Sequence, residues 1–192
     1  MKRVSSAIAP ILVILLLLAG CASSSANNSS TNTLAATCDF KGSSTPNQLP
    51  DLKLPCLTSS GYSTRQISLT SLKGPLVINL WGSWCSPCKE EMPLFRKLYL
   101  ATSKSSALSI VGIDVEESSA KAATNFMASQ GMVWPQLADN NQQTRVDFGM
   151  GVPVTWFVSA NGEVAFKKIG QIHSWSELRG LVTSHLGIDV PL

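Results

Sequence analysis

The chain holds two histidines, His173 and His185, and one pair of cysteines at Cys-x-x-Cys spacing, Cys85 and Cys88. A structural zinc ion takes four Cys or His ligands, usually from two such pairs. With no second pair at that spacing and two lone histidines, the composition argues against a zinc centre, and no metal or other cofactor is expected. Charge is also scarce: 14% of residues are charged and the formal net charge is +3. No basic stripe with interleaved aromatics runs through the chain, which excludes nucleic acid as a partner. No apolar run approaches the ~20 residues of a membrane-spanning helix. The longest covers residues 7–19 and as a helix rises only about 20 Å against a ~30 Å hydrocarbon core. Lys2 and Arg3 precede it, so it reads as a secretory signal peptide. No internal repeat is present, and the length suits one domain.

What is there is an apolar fraction of 44%, enough for an ordinary core, and five cysteines at 21, 38, 56, 85 and 88. The chain is organised around Asn79-Leu80-Trp81-Gly82-Ser83-Trp84-Cys85-Ser86-Pro87-Cys88-Lys89-Glu90-Glu91. An apolar run ends in an aromatic pair, two cysteines follow, and a polar helix-favouring segment begins. This reads as a buried strand, a tight turn and a helix start. A thiol at a helix N-terminus meets unpaired backbone N–H groups and the positive end of the helix dipole. Both favour the thiolate, which is the reactive form. Thiol–disulfide exchange at Cys85 and Cys88 is the chemistry this pattern points to.

Residues 22–37 carry no charge and one large apolar side chain, Leu34. They cannot bury enough surface to offset ordering entropy and read as a flexible tether of roughly 20 Å reach. Cys38 and Cys56 bracket a proline-rich stretch with little periodicity. Outside the cytosol they would pair as a structural disulfide, with a second redox pair or two free thiols as the alternatives. A short strand is expected at 65–69, a turn at 71–74 and a buried strand at 75–81. The helix after Cys85 contains Pro93, which removes a backbone N–H. Met92, Phe95, Leu98 and Tyr99 have core spacing in that helix. A strand at 107–115, helices at 119–130 and 141–148, and a strand at 153–159 follow. Asn161-Gly162 marks a hairpin turn returning through 163–169. Ser174-Trp175-Ser176-Glu177 has the form of a capping box opening a last helix to about His185. The order implies an α/β fold, a mixed central sheet with helices on both faces.

Leu18-Ala19-Gly20-Cys21 resembles the lipobox of bacterial lipoproteins. The resemblance implies cleavage before Cys21, a lipid on its sulfur, and an extracytoplasmic domain anchored to the cell membrane. Residues 1–20 would be the signal peptide, 21–37 the lipidated tether and 38–192 the folded domain. Lipidation of Cys21 would leave an even number of thiols.

Trp81-Gly82-Ser83-Trp84-Cys85-Ser86-Pro87-Cys88-Lys89, with Pro93 beyond it, resembles the active-site segment of the thioredoxin superfamily. Gly151-Val152-Pro153-Val154-Thr155 resembles that family's cis-proline loop. Within the superfamily the chain is most similar to the membrane-anchored TlpA/ResA/CcmG (DsbE) group, over roughly residues 47–187. Leu49-Pro50-Asp51, Asn79-Leu80-Trp81, Glu91-Met92-Pro93 and an inserted helix and strand at 118–139 carry that similarity. It implies a thioredoxin fold with an N-terminal hairpin and a cis bond at Val152–Pro153. It also implies that Cys85, the more exposed of the two thiols, is the nucleophile, that Cys88 is the resolving thiol, and that Glu91 is the proton acceptor in place of the buried aspartate of cytoplasmic thioredoxins. Asn79 stands where that aspartate would be, and an amide cannot relay a proton. Trp84, Ser86, Pro87, Val152 and Pro153 would shape the groove for an extended protein substrate.

The implied activity is that of a monomeric thiol–disulfide oxidoreductase acting on protein disulfides or thiols. By resemblance its role is reduction of apocytochrome c, reset by a membrane redox partner. Oxidative folding outside the membrane is the alternative direction. A Sco-type copper chaperone would use His173, but that family places three residues between its cysteines. A thiol peroxidase on the same fold would carry threonine or serine three positions before the active cysteine, where this chain has Gly82.

Overall fold

The computed structural model describes residues 38–40, 42–43, 47–149 and 151–191. The expected signal peptide, Cys21 and the tether lie outside the described residues. Among the described residues no helix is long and apolar enough to cross a membrane.

Seven strands form one mixed sheet in the order β2-β1-β5-β4-β3-β6-β7. Inside it lies β3 (Leu76–Trp81), every residue of which is buried. β3 runs parallel to β4 (Ser109–Val115) and antiparallel to β6 (Val154–Val158). A strand flanked on both edges and covered on both faces favours apolar residues, which explains a run that is apolar except at Asn79. Strand periodicity divides its side chains. Val77 and Trp81 join one core cluster, with Phe95 and Leu98 of α1 (Ser86–Thr102), Phe126 of α2 (Ala120–Gln130) and Val182 of α4 (Trp175–Leu186). Ile78 and Leu80 join the other, with Ile67, Leu137 and Phe148. Asn79 has the parity of Val77 and Trp81 and therefore faces α1.

The helices start and stop where local chemistry dictates. Ser119 caps α2 by accepting from the Ala122 N–H, and Gly131 ends it at a φ of 60°, a left-handed conformation that costs glycine little. Ser174 accepts from the Glu177 N–H at 3.1 Å to open α4. The reciprocal bond goes one residue further than a capping box requires, since Glu177 accepts from His173 N–H at 2.8 Å. α1 continues through Pro93. The Lys89 carbonyl loses its helical donor there, on an exposed side of the helix where water can replace it.

Three elements differ from the sequence expectation. β1 (Lys53–Thr58), the first strand of the N-terminal hairpin implied by resemblance, has no counterpart in the strand pattern, because Pro55 interrupts it; the strand accommodates that proline at a register shift between Pro55 and Leu57. Its partner β2 (Gly61–Ser68) is longer than the expected 65–69. Helix α3 covers only Arg145–Phe148, not 141–148. Residues 143 and 144 instead wrap Asp139, whose carboxylate accepts from Gln143 N–H, Thr144 N–H and the Thr144 hydroxyl at 2.9, 2.7 and 2.6 Å. The inserted segment supplies α2 and β5 (Gln136–Asp139), and β5 joins the β1–β2 hairpin to the sheet through antiparallel pairing with β1. β7 (Val164–Ile169) closes the other edge.

Cys38 and Cys56 are bonded, with Cα atoms 6.0 Å apart. Cys56 is fully buried in β1, so the bond ties the N-terminal stretch to the sheet. Closing a loop of this size stabilises by roughly 3 kcal/mol in the chain-entropy model.

Candidate active site

β3 ends at Trp81, and the chain needs four residues to turn into α1. The turn is closed by the Cys85 N–H donating to the Gly82 carbonyl at 3.1 Å. Cys85 is the N-cap of α1, and its sulfur accepts from the Cys88 N–H at 3.2 Å. Pro87 stands in the first turn, where a missing N–H costs nothing. The two cysteines are disulfide-bonded, with Cα atoms 5.3 Å apart. Cys85 retains 4% exposure and Cys88 none, so an incoming thiolate can reach Cys85 alone.

The surroundings separate into a rim and a buried carboxyl. On the rim, Trp84 is 55% exposed, Ser86 is exposed and Pro87 is half-buried. Val152–Pro153 is a cis peptide bond, and Val152 packs against the cluster that contains Cys85 and Cys88. Trp84 and Val152 line one groove with Glu116 and Arg145. Ile169, also well exposed, pairs with Val154 directly beyond the cis-proline. The described chain thus brings Trp84, Val152 and the two cysteines to one end of the sheet.

Beneath the rim sits Glu91, fully buried, three residues beyond Cys88 and therefore on the neighbouring face of the same helix. Asn79 Nδ2 donates to Glu91 Oε1 at 2.7 Å, and also to Thr155 Oγ1 at 3.1 Å. The Ile172 N–H donates to Glu91 Oε2 at 2.9 Å. Burial pushes the Glu91 carboxyl up to about 7, against the lowering effect of those two hydrogen bonds and of Lys168. Asn79 thus holds the Glu91 carboxyl in place through its side-chain amide. The Lys168 ammonium lies 3.3 Å from Glu177 of α4, and its field reaches Glu91. Lys167, on the opposite face, lies over the Trp156 ring at 3.8 Å. His173 is exposed, and His185 stacks on Phe166 at 4.1 Å.

Gly82 has a steric reason. A Cβ there would lie 2.6 Å from the Trp84 indole nitrogen, so threonine or serine at this position would displace Trp84. Three residues around the site were not singled out by sequence reasoning: Ser83, Glu117 and Asp114. Asp114 is fully buried in β4, and burial, followed by the charges of Glu117 and Asp139, pushes it up to about 9. A carboxyl inside the otherwise apolar Ser109–Val115 run was the available signal.

A family model described as AhpC/TSA matches residues 46–167. The ResA thiol-disulfide oxidoreductase of Bacillus thuringiensis is 33% identical over 109 residues, 56% of this chain and 62% of the relative. The thiol:disulfide interchange protein CycY of Rhizobium leguminosarum is 31% identical over 115 residues, 58% of this chain and 59% of the relative. The chain thus spans about three fifths of these curated relatives. Among solved structures, a thiol:disulfide interchange protein DsbE from Chlorobium tepidum aligns with a TM-score of 0.61 at 22% identity, covering 74% of this chain and 98% of that one. This last likeness establishes the fold, a thioredoxin-like mixed sheet. With the family model covering most of the folded residues, the chain belongs to the AhpC/TSA family.

Proposed function

We propose that the chain is an extracytoplasmic thiol–disulfide oxidoreductase working through Cys85 and Cys88. The observation that carries this reading is a disulfide whose outer sulfur caps a helix while a buried carboxyl, pushed up to about 7, lies one turn below its inner sulfur. The names of the relatives agree with it.

In the reductive direction, the Cys85 thiolate attacks one sulfur of a substrate disulfide. A mixed disulfide forms and one substrate thiolate leaves. Cys88 passes its proton to Glu91, and its thiolate attacks the Cys85 sulfur. The Cys85–Cys88 bond closes and the second substrate thiolate departs. The substrate gains two electrons, and the pair must then be reduced by an external dithiol. A carboxyl with a pKa near the working pH suits the proton transfer. Trp84, Ser86, Pro87, Val152 and Pro153 would form the substrate groove. The direction we favour is reduction of the cytochrome c maturation type, with apocytochrome c as substrate and a membrane partner as reductant. It rests on the resemblance carried by Asn79-Leu80-Trp81 and Glu91-Met92-Pro93. Anchoring through a lipid on Cys21 rests on the Leu18-Ala19-Gly20-Cys21 motif behind an apolar leader.

The test is dithiothreitol-driven reduction of insulin between pH 5.5 and 8.5. Glu91 accepts a proton only when ionised, so the wild-type rate is expected to rise through about pH 7. Glu91→Gln should lose that inflection and run slower by about a hundredfold at pH 8, within the range of a general base. An unchanged rate and inflection in Glu91→Gln would remove Glu91 from the mechanism. No catalysis by the wild type would overturn the function.

A further inference from the structure

Ser83 sits two residues before Cys85, and the contacts that hold it come from another loop. Its hydroxyl donates to Glu117 Oε2 at 2.8 Å, and its backbone N–H donates to Oε1 of the same carboxylate. Glu117 lies between β4 and α2, 34 positions away. Trp84 is held at the same place, its indole N–H donating to the Val115 carbonyl at 3.3 Å. Between Val115 and Glu117 the backbone turns at Glu116 with a φ of 57°. A non-glycine residue seldom adopts that left-handed conformation, and where it persists the surroundings enforce it. Here the Glu116 carboxylate pairs with Arg145 at 3.4 Å.

Asp114 is buried beside Glu117, and its carboxyl, protonated at neutral pH, shares a hydrogen bond with the Glu117 carboxylate that also holds Ser83. Tyr62 and Asp139 are the further titratable groups at this spot. Burial, then the carboxylates, push Tyr62 up to about 12 and Asp114 up to about 9. At neutral pH both keep their protons.

We infer that Glu117 is a positioning residue for the Cys85–Cys88 couple, a latch on Ser83 that keeps the Cys85 sulfur at the N-cap of α1 when the disulfide is open. The inference rests on the exchange function proposed above. In the oxidised protein the bond to Cys88 itself holds Cys85 in place. Once reduced, Cys85 depends on the turn that carries it, and Ser83 is the residue that pins this turn. The thiolate is stabilised only while it stays within reach of the Cys88 N–H and the helix terminus. A latch of this kind lowers the thiol pKa through position. The field of a carboxylate acts the opposite way, since a like charge disfavours a thiolate. The sign of the change on removing Glu117 therefore separates position from charge.

The experiment is the pH dependence of iodoacetamide alkylation of Cys85 in the reduced full chain. Wild type is compared with Glu117→Ala, Glu117→Gln, Ser83→Ala and Ser83→Thr, and thermal unfolding of each oxidised form is recorded. Glu117→Ala is expected to raise the Cys85 pKa by about one unit, Glu117→Gln and Ser83→Ala by less, and Ser83→Thr should match wild type. The equilibrium of Glu117→Ala with glutathione should move about tenfold toward the disulfide, about 30 mV for a two-electron couple. A Cys85 pKa that falls or stays constant, in a Glu117→Ala protein that unfolds at the wild-type temperature, overturns the latch. Should Glu117→Ala not fold, the serine pair decides: equal pKa values in Ser83→Ala and Ser83→Thr overturn it. A wild-type Cys85 with no depressed pKa would overturn the exchange function instead.

Discussion

Cys85→Ser is expected to lose dithiothreitol-driven insulin reduction by about a thousandfold or more, roughly 4 kcal/mol of barrier. Cys88→Ser is expected to lose turnover but to accumulate a mixed disulfide with its substrate. The asymmetry comes from burial and place. Cys85 caps α1 and keeps 4% exposure, whereas Cys88 is sealed one turn inside. Serine at 85 puts a hydroxyl at the only reachable position, and a hydroxyl forms no disulfide. Serine at 88 leaves the attacking thiolate intact and removes only the group that releases the product. Mass spectrometry of the two variants after incubation with insulin reads this difference directly. A mixed disulfide through Cys88 in Cys85→Ser would reverse the assigned roles.

Asp114→Asn is expected to flatten the pH dependence of stability. The carboxyl titrates near 3.8 in an unstructured chain, and burial pushes it to about 9 in the fold. Well below the lower value both states carry the proton. Between the two values the unfolded chain releases it and the folded chain keeps it, so folding takes up a proton. Stability then falls as pH rises, by about 1.4 kcal/mol per pH unit for one proton. Asparagine has the same shape and no proton to lose. Urea unfolding of the oxidised protein between pH 5 and 8 should therefore show the variant's stability falling less steeply than wild type by about that slope. The raised Glu91 carboxyl contributes to the slope in both proteins up to about pH 7 and cancels in the difference. Parallel profiles would show that Asp114 is ionised in the folded protein.

The parts of the site that were legible in the sequence are those carried by local pattern. An apolar run ending at Trp81 announces a central strand, because a strand flanked on both sides has no polar face. Ser119 and Gly131 announce both ends of α2, because capping and the left-handed stop are properties of single residues. Cys85, Pro87 and Cys88 announce the helix N-terminus for the same reason. Glu91 was legible through resemblance, but the groups that hold it were not: they are Asn79 of β3 and the Ile172 backbone, 12 and 81 positions away. The Ser83–Glu117 contact escaped the sequence because it joins two loops across the β3–β4 crossover, and neither residue type is unusual in a loop. β1 escaped the strand pattern because Pro55 breaks its alternation, and its pairing on both sides reveals it as a strand. Residues 141–144 have helical composition, but the Asp139 carboxylate takes the backbone N–H groups of Gln143 and Thr144 in a turn.

The most direct measurement is a redox titration of the full chain against glutathione, with free thiols alkylated at each point and the modified cysteines mapped by mass spectrometry. Cys85 and Cys88 are expected to become reactive together in one two-electron transition, with a potential near that of thioredoxin, about −270 mV, for a reductant. Cys38 and Cys56 should stay bonded through that transition. A couple near −120 mV would contradict the reductive direction. Release of Cys38 and Cys56 while Cys85 and Cys88 remain bonded would contradict the assignment of the exchange site itself.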